Sequence, residues 1–256
     1  MFVTAVGNSG SYPGPQSAAS CYLVQAEHHG RTWNIVLDLG SGSLGYLQRY
    51  VEPADLDAVL LTHLHPDHCL DICPLYVLLS HHPTHRRDNP MPVHAPPGAA
   101  ERLARAYHVD ETETLTDRYT FTDLIDRTPI TIGPFHITPI RMRHPVTTFG
   151  FRIEADGATF AYTGDTDTTP NLTPLLRNAD LVLADSAFIE GRDTVPGIHM
   201  HGRAVAQAAL TAGGVKRLVL THIPAWNDPE ICRAQAATLW PNVELCHPGQ
   251  RFTVTR

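Results

Sequence analysis

The chain has 256 residues, with 19 lysines and arginines against 26 aspartates and glutamates, a formal charge of −7. A content of 43% hydrophobic and 18% charged residues excludes a disordered chain, and no apolar run approaches the roughly 20 residues of a membrane span. The acidic balance argues against nonspecific grip on long nucleic acids, and the scattered cysteines Cys21, Cys69, Cys73, Cys232 and Cys246, behind an opening unlike a secretion signal, predict a reduced, cytoplasmic protein.

In chain order, β-branched or leucine-rich runs predict strands at residues 2–6, 22–25, 34–37 and 58–61, then at 135–140, 149–153, 159–162, 181–184, 217–220 and 251–255. Amphipathic stretches predict helices at 44–50, 70–80, 99–107, 203–212 and 229–239. Asp228 before Pro229 reads as an N-cap, and Gly213-Gly214 as a helix stop. Residues 80–98, rich in proline, histidine and arginine, predict a loop with one short strand, whereas 107–127 shows no clean periodicity. Hairpin-like series mixed with βα units predict an α/β protein with sizeable sheets. No long linker interrupts the chain, so 1–256 reads as one domain. Val59-Leu60-Leu61-Thr62-His63 is echoed by Leu218-Val219-Leu220-Thr221-His222, which would bring two histidines to one rim of a two-halved sandwich.

Sixteen histidines nearly match all lysines and arginines together, and their grouping is informative. In Thr62-His63-Leu64-His65-Pro66-Asp67-His68, four ligand-type side chains follow directly on a predicted strand. Imidazole and carboxylate suit zinc, and also manganese, iron or cobalt. His63 and His65, two apart in extended chain, can face one side; Pro66 then bends the chain so that Asp67 and His68 address a second position. An open catalytic metal needs about three protein ligands. Four candidates in one loop, with more downstream, suggest two metals.

His63-x-His65-x-Asp67-His68 resembles the signature of the metallo-β-lactamase superfamily. The resemblance implies an αββα sandwich, two mixed sheets flanked by helices and built of two pseudo-symmetric halves. In the family's order, His144 in Arg143-His144-Pro145, Asp165 in Thr163-Gly164-Asp165 and His222 in Leu220-Thr221-His222 match the remaining ligands. The implied set is one metal on His63, His65 and His144, a second on Asp67, His68 and His222, and Asp165 bridging them. Gly7-Asn8-Ser9-Gly10 resembles the opening of the RNase Z-like, phosphodiesterase branch, and Asp38-Leu39-Gly40 its Asp-x-Gly turn, whose acid supports the metal loop.

The metal set alone does not separate ester from phosphoester hydrolysis. True β-lactamases of the fold use a different ligand set and are generally exported. His199-Met200-His201-Gly202 resembles the His-x-Ser/Thr segment of the phosphodiesterase branch, with His199 in the catalytic position and His201 as competitor; Asp185 matches its acidic partner, where the family more often has Glu. A carboxylate beside His199 favours the imidazolium, suited to a phosphate oxygen or a leaving alkoxide, and Asp67 could orient the attacking water and accept its proton. The span from Asp165 to His222 leaves no room for the arm of long-tRNA-processing members. The chain is most similar to actinobacterial atypical cyclic-nucleotide phosphodiesterases, which puts 3′,5′-cyclic AMP first among substrates and disfavours nucleic-acid polymers. The resemblance also admits a homodimer. Open alternatives are hydrolysis of an ester, lactone, thioester or β-lactam, RNase Z-like RNA processing, and a non-catalytic metal-binding sensor. No role is assigned to His81, His82, His85, Arg86 and Arg87.

Overall fold

A computed structural model describes residues 1–107 and 115–256. The first half runs through β1 (Phe2–Gly10), β2 (Ala18–Ala19), β3 (Cys21–His28), β4 (Arg31–Leu37), α1 (Ser43–Leu47), β5 (Ala58–Leu60), α2 (Pro66–Cys69), α3 (Ile72–His81), β6 (Met91–Ala95), α4 (Ala99–Tyr107) and β7 (Tyr119–Asp123). The second half comprises β8 (Ile130–Ile132), β9 (Phe135–Arg141), β10 (Phe149–Ala155), β11 (Ala158–Tyr162), α5 (Leu172–Leu176), β12 (Leu181–Asp185), α6 (Gly202–Ala212), β13 (Leu218–Thr221), β14 (Ile223–Pro224), α7 (Pro229–Ala237), β15 (Glu244–Leu245) and β16 (Arg251–Thr253).

Two mixed sheets result. One has the order β14-β1-β3-β4-β5-β6-β7, with β2 and β16 also on β1; the other has the order β15-β13-β12-β11-β10-β9-β8. Each joins an antiparallel meander to parallel strands. The meanders come from tight turns: Asp156-Gly157 holds φ of 54° and 73° between β10 and β11, the left-handed pair that matches strand twist.

Successive side chains point to opposite faces, so the near-continuous apolar runs of the central strands make both faces of each sheet apolar, which forces a layered packing. Between the sheets, Val3, Tyr22, Ile35, Leu37 and Leu60 meet Phe135, Phe151, Phe160, Leu183 and Val219. The outer face of the first sheet is covered by α1, α3 and α4 through Leu44, Leu75 and Leu103. Leu175, Val205 and Cys232 of α5, α6 and α7 cover the second. The layers are thus helix, sheet, sheet, helix, as the resemblance implied.

Two predictions need correction. The helix expected over 70–80 is α3, starting two residues later because the Asp71 carboxylate accepts from Leu44 N (2.8 Å) and Gly42 N (3.1 Å), and it is preceded by the separate short helix α2, which was not expected. The aperiodic stretch 107–127 contains β7, paired in parallel with β6; residues 108–114 of it lie outside the described part. Asp228 caps α7 by accepting from Glu230 N at 3.0 Å, as read from sequence. No helix among the described residues is long and apolar enough to cross a membrane.

Candidate metal centre

The carboxyl ends of β5, β9, β11, β12 and β13 open on one rim of the sandwich, a consequence of their common direction within each sheet. His63 leaves β5, His144 lies between β9 and β10, Asp165 follows β11, Asp185 ends β12 and His222 follows β13. The Thr-His echo therefore does bring two histidines to this rim. Pro66 occupies the first turn of α2, which carries Asp67 and His68 back toward the same point.

The donor atoms form overlapping groups, each with atoms within 4.8 Å of one another: His63, His65, His144 and Asp165; then Asp67, His68, Asp165 and His222; and third Asp185, His199 and His222. His65 Nδ1 stands 2.9 Å from His63 Nε2 and 3.2 Å from His144 Nε2. Asp165 Oδ2 lies 3.6 Å from His63 Nε2 and 3.2 Å from His222 Nε2, while its Oδ1 lies 3.1 Å from His68 Nε2. Asp165 is thus common to the first two groups. Yet His68 Nε2, His222 Nε2 and Asp165 Oδ1 are buried without a hydrogen-bond partner. Such orphaned atoms cost free energy, and converging lone pairs of this kind fit divalent cations.

Burial, reinforced by the neighbouring imidazoles, pushes His63, His65 and His144 down from their ordinary pKa and keeps them in the neutral form a metal needs. Burial works the same way on His68, but Asp165, Asp38 and Asp67 outweigh it and raise its pKa. A divalent ion would answer the same carboxylate field and displace that proton. For Asp67, burial raises the pKa, but His68 and His222 overcome it and hold the acid at about 2.

A buried frame orients these donors. Asp38, itself at φ 58°, accepts from His68 Nδ1 (2.7 Å), Thr62 N (2.7 Å), the Thr62 hydroxyl and the Tyr162 hydroxyl (2.9 Å). Ser20 Oγ contacts His222 Nδ1 at 3.0 Å, and the Ile198 carbonyl accepts from His144 Nδ1 at 2.8 Å. Tyr22 and Tyr162 pack across the sheets at 4.7 Å beneath the cluster; the Tyr22 hydroxyl reaches Thr221 Oγ1 at 2.6 Å. Of this frame only Asp38 was identified from sequence. Ser20 is 202 residues from His222 and Tyr162 is 124 from Asp38, with no local motif to betray either contact.

The structure places His199 and His201 differently. His199 Nδ1 meets Asp185 Oδ2 at 2.8 Å beside the donor cluster, so the shorter acid does reach. Burial opposes protonation of His199, but Asp185 dominates and lifts its pKa to about 9. The His201 side chain accepts from Ala204 N at 3.3 Å and caps α6. The first part of the 80–98 segment, around His85 and Arg87, folds away from the rim, before β6 runs back toward it parallel to β5. Arg87 Nη1 donates to the carbonyls of Ala54 (3.0 Å) and Leu56 (2.6 Å), and His85 bonds Asp55 (2.8 Å), at the entry of β5 rather than its exit.

Residues 34–223 match the family model for the beta-lactamase superfamily domain. An uncharacterized Mycobacterium tuberculosis protein, Rv1339, is 38% identical over 231 residues, covering 89% of this chain and 82% of that one. The probable metallo-hydrolase YhfI of Bacillus subtilis is 29% identical over 94% of both chains, and its crystal structure superposes with a TM-score of 0.86 over 98% of each. A ribonuclease Z of Mycobacterium bovis is 32% identical over 92% of this chain and 91% of its own. The chain belongs to the metallo-β-lactamase superfamily, in its RNase Z-like branch. It is a metallo-hydrolase by family, with a His/Asp rim suited to divalent metal.

Proposed function

We propose that the protein hydrolyses a small phosphodiester with two divalent metal ions, zinc first among them, and that 3′,5′-cyclic AMP is the leading substrate. The observation that carries this reading is the His199–Asp185 pair set directly beside the two donor groups. His63, His65 and His144 would hold one ion, Asp67, His68 and His222 the other, with Asp165 between them. Bound ions of this kind polarise phosphoryl oxygens and make water a nucleophile near neutral pH. Asp67 orients the attacking water and takes its proton. Asp185 accepts from His199 Nδ1, which fixes the ring and makes Nε2 the proton donor. In cyclic AMP the bond from phosphorus to O3′ breaks as water oxygen joins phosphorus, and His199 protonates O3′ to leave 5′-AMP.

The segment between Asp165 and His222 supports a small substrate, since α5, β12, α6 and β13 take up much of it and its longest connection, residues 186–201, carries His199 to the rim. All five cysteines are free, which supports a reducing cytoplasmic setting. RNA processing is the second reading, favoured by the similarity to the Mycobacterium bovis ribonuclease Z. Parallel assays with cyclic AMP, a precursor tRNA, an acyl lactone and a cephalosporin separate the readings. Release of 5′-AMP is the expected result, and turnover of the acyl substrates alone overturns it. His199→Ala should lower phosphodiester turnover by roughly 10²–10⁴-fold, the usual contribution of a positioned acid, while metal content stays at the wild-type level. Unchanged turnover would remove His199 from the mechanism.

A further inference from the structure

Two aromatic side chains stand exposed on the loops that rise from the metal rim and take no part in the chemistry above. Trp226 is 59% exposed and Tyr12 40%, and their ring centroids lie 5.2 Å apart at 33°. Their position follows from strand direction. β1 is antiparallel to β3, β3 to β4, and β4 runs parallel to β5, so β1 points the same way as β5 and ends at the same rim. β14 runs parallel to β1, with Ser9 opposite Ile223 and Gly10 opposite Pro224. Tyr12 and Trp226 therefore continue past the rim from adjacent strands, immediately beyond the donor His222.

Both loops are braced. Ser9 Oγ donates to the Tyr12 carbonyl at 2.8 Å, and Asn227 N closes a turn onto the Pro224 carbonyl at 2.9 Å. Asn227 Nδ2 ties that turn to the Ala187 carbonyl at 2.8 Å, two residues beyond Asp185. At Gly10 a side chain would strike the His222 carbonyl, so the two loops approach as closely as backbones can. Trp226 is four residues from His222, at most about 14 Å of extended chain, and the turn shortens that path. A nucleotide with its phosphate among the donors can reach the indole.

We infer that Trp226, backed by Tyr12, is the platform on which the nucleobase of the substrate stacks. This subsite rests on the phosphodiesterase reading. The indole meets Tyr12 on one side and offers its remaining surface to solvent, and a flat base gains by covering such a surface. The platform reads a π-face rather than base edges, so it accepts purines in general and favours diesters that carry a base over those that do not.

The test compares the metal-loaded wild-type protein with Trp226→Ala and Trp226→Phe on cyclic AMP and on methyl p-nitrophenyl phosphate, a diester without a base. The kcat/KM ratio of cyclic AMP to the base-free diester should fall about fivefold to a hundredfold in Trp226→Ala, the size of one lost base stack. The loss should lie mainly in KM, with Trp226→Phe in between. As a binding readout, 5′-AMP should quench the tryptophan fluorescence of the wild type, and Trp226→Ala should lose that quench. A wild type that cleaves both diesters, with a ratio and a quench unaltered by Trp226→Ala, overturns the platform alone. A wild type that cleaves neither overturns the phosphodiesterase reading and the platform with it.

Discussion

Asp165→Asn is expected to lower phosphodiester turnover by roughly a thousandfold or more and to take metal out of the protein. The substitution keeps the shape of the side chain and removes one negative charge from the point where both donor groups meet. Asp165 lies within 3.6 Å of His63, His68 and His222 through its two oxygens, and within 3.9 Å of His144. Burial alone would raise its pKa, but the field of His222, His68 and His63 drives it well below the ordinary carboxylate range. That carboxylate is the charge against which the surrounding imidazoles and any cation are balanced. Losing several kcal/mol of metal-derived stabilisation at about 1.36 kcal/mol per decade gives the stated effect. Metal analysis and kcat/KM on one preparation check it. A variant with the wild-type metal content and activity would show that Asp165 bridges nothing.

Asp38→Ala is expected to act on folding as well as on metal. Asp38 is fully buried and accepts from four groups at once, so its removal strands the His68 ring nitrogen, the Thr62 amide and the Tyr162 hydroxyl and leaves the Thr62 hydroxyl with His63 Nδ1. Breaking a buried charged network of this kind costs about 3–5 kcal/mol, which for a chain of this size lowers the thermal midpoint by roughly 6–20 °C. Metal affinity should fall about 10–100-fold, because His68 loses the acceptor that orients its ring. Calorimetry and a competitive chelator titration measure the two effects separately. An unchanged midpoint would show that the Asp38 network contributes nothing to the fold.

The rim was readable from sequence because several donors sit just past strand ends and because the family resemblance supplied the order of the rest. His63, Asp165 and His222 come one to three residues past β5, β11 and β13, so a local pattern marks both the element and its functional end. Features with distant causes were not readable. The positive charge of Arg87 resembles a ligand-binding group, but it is engaged by backbone carbonyls 31 and 33 residues earlier in the chain. β7 does alternate Tyr119 and Phe121 with Thr120 and Thr122, but over only five residues in a polar stretch rich in Thr and Asp, too short a run to stand out. α5 has five residues and an internal proline, too short for helical periodicity, and is held by Leu172, Leu175 and Leu176 against the second sheet. The resemblance already put His199 ahead of His201, but that its ring reaches Asp185 is a matter of tertiary geometry.

We propose that the donors on this rim hold metal and that the metal works on a small phosphodiester. The most direct measurement is metal content and 5′-AMP release from cyclic AMP on one sample, before and after chelation and after return of zinc or manganese. About two divalent ions per chain are expected, with loss of turnover on chelation in parallel with metal and recovery on reconstitution. A chelated protein that stays folded, carries no metal and still releases 5′-AMP at the full rate would contradict the proposal.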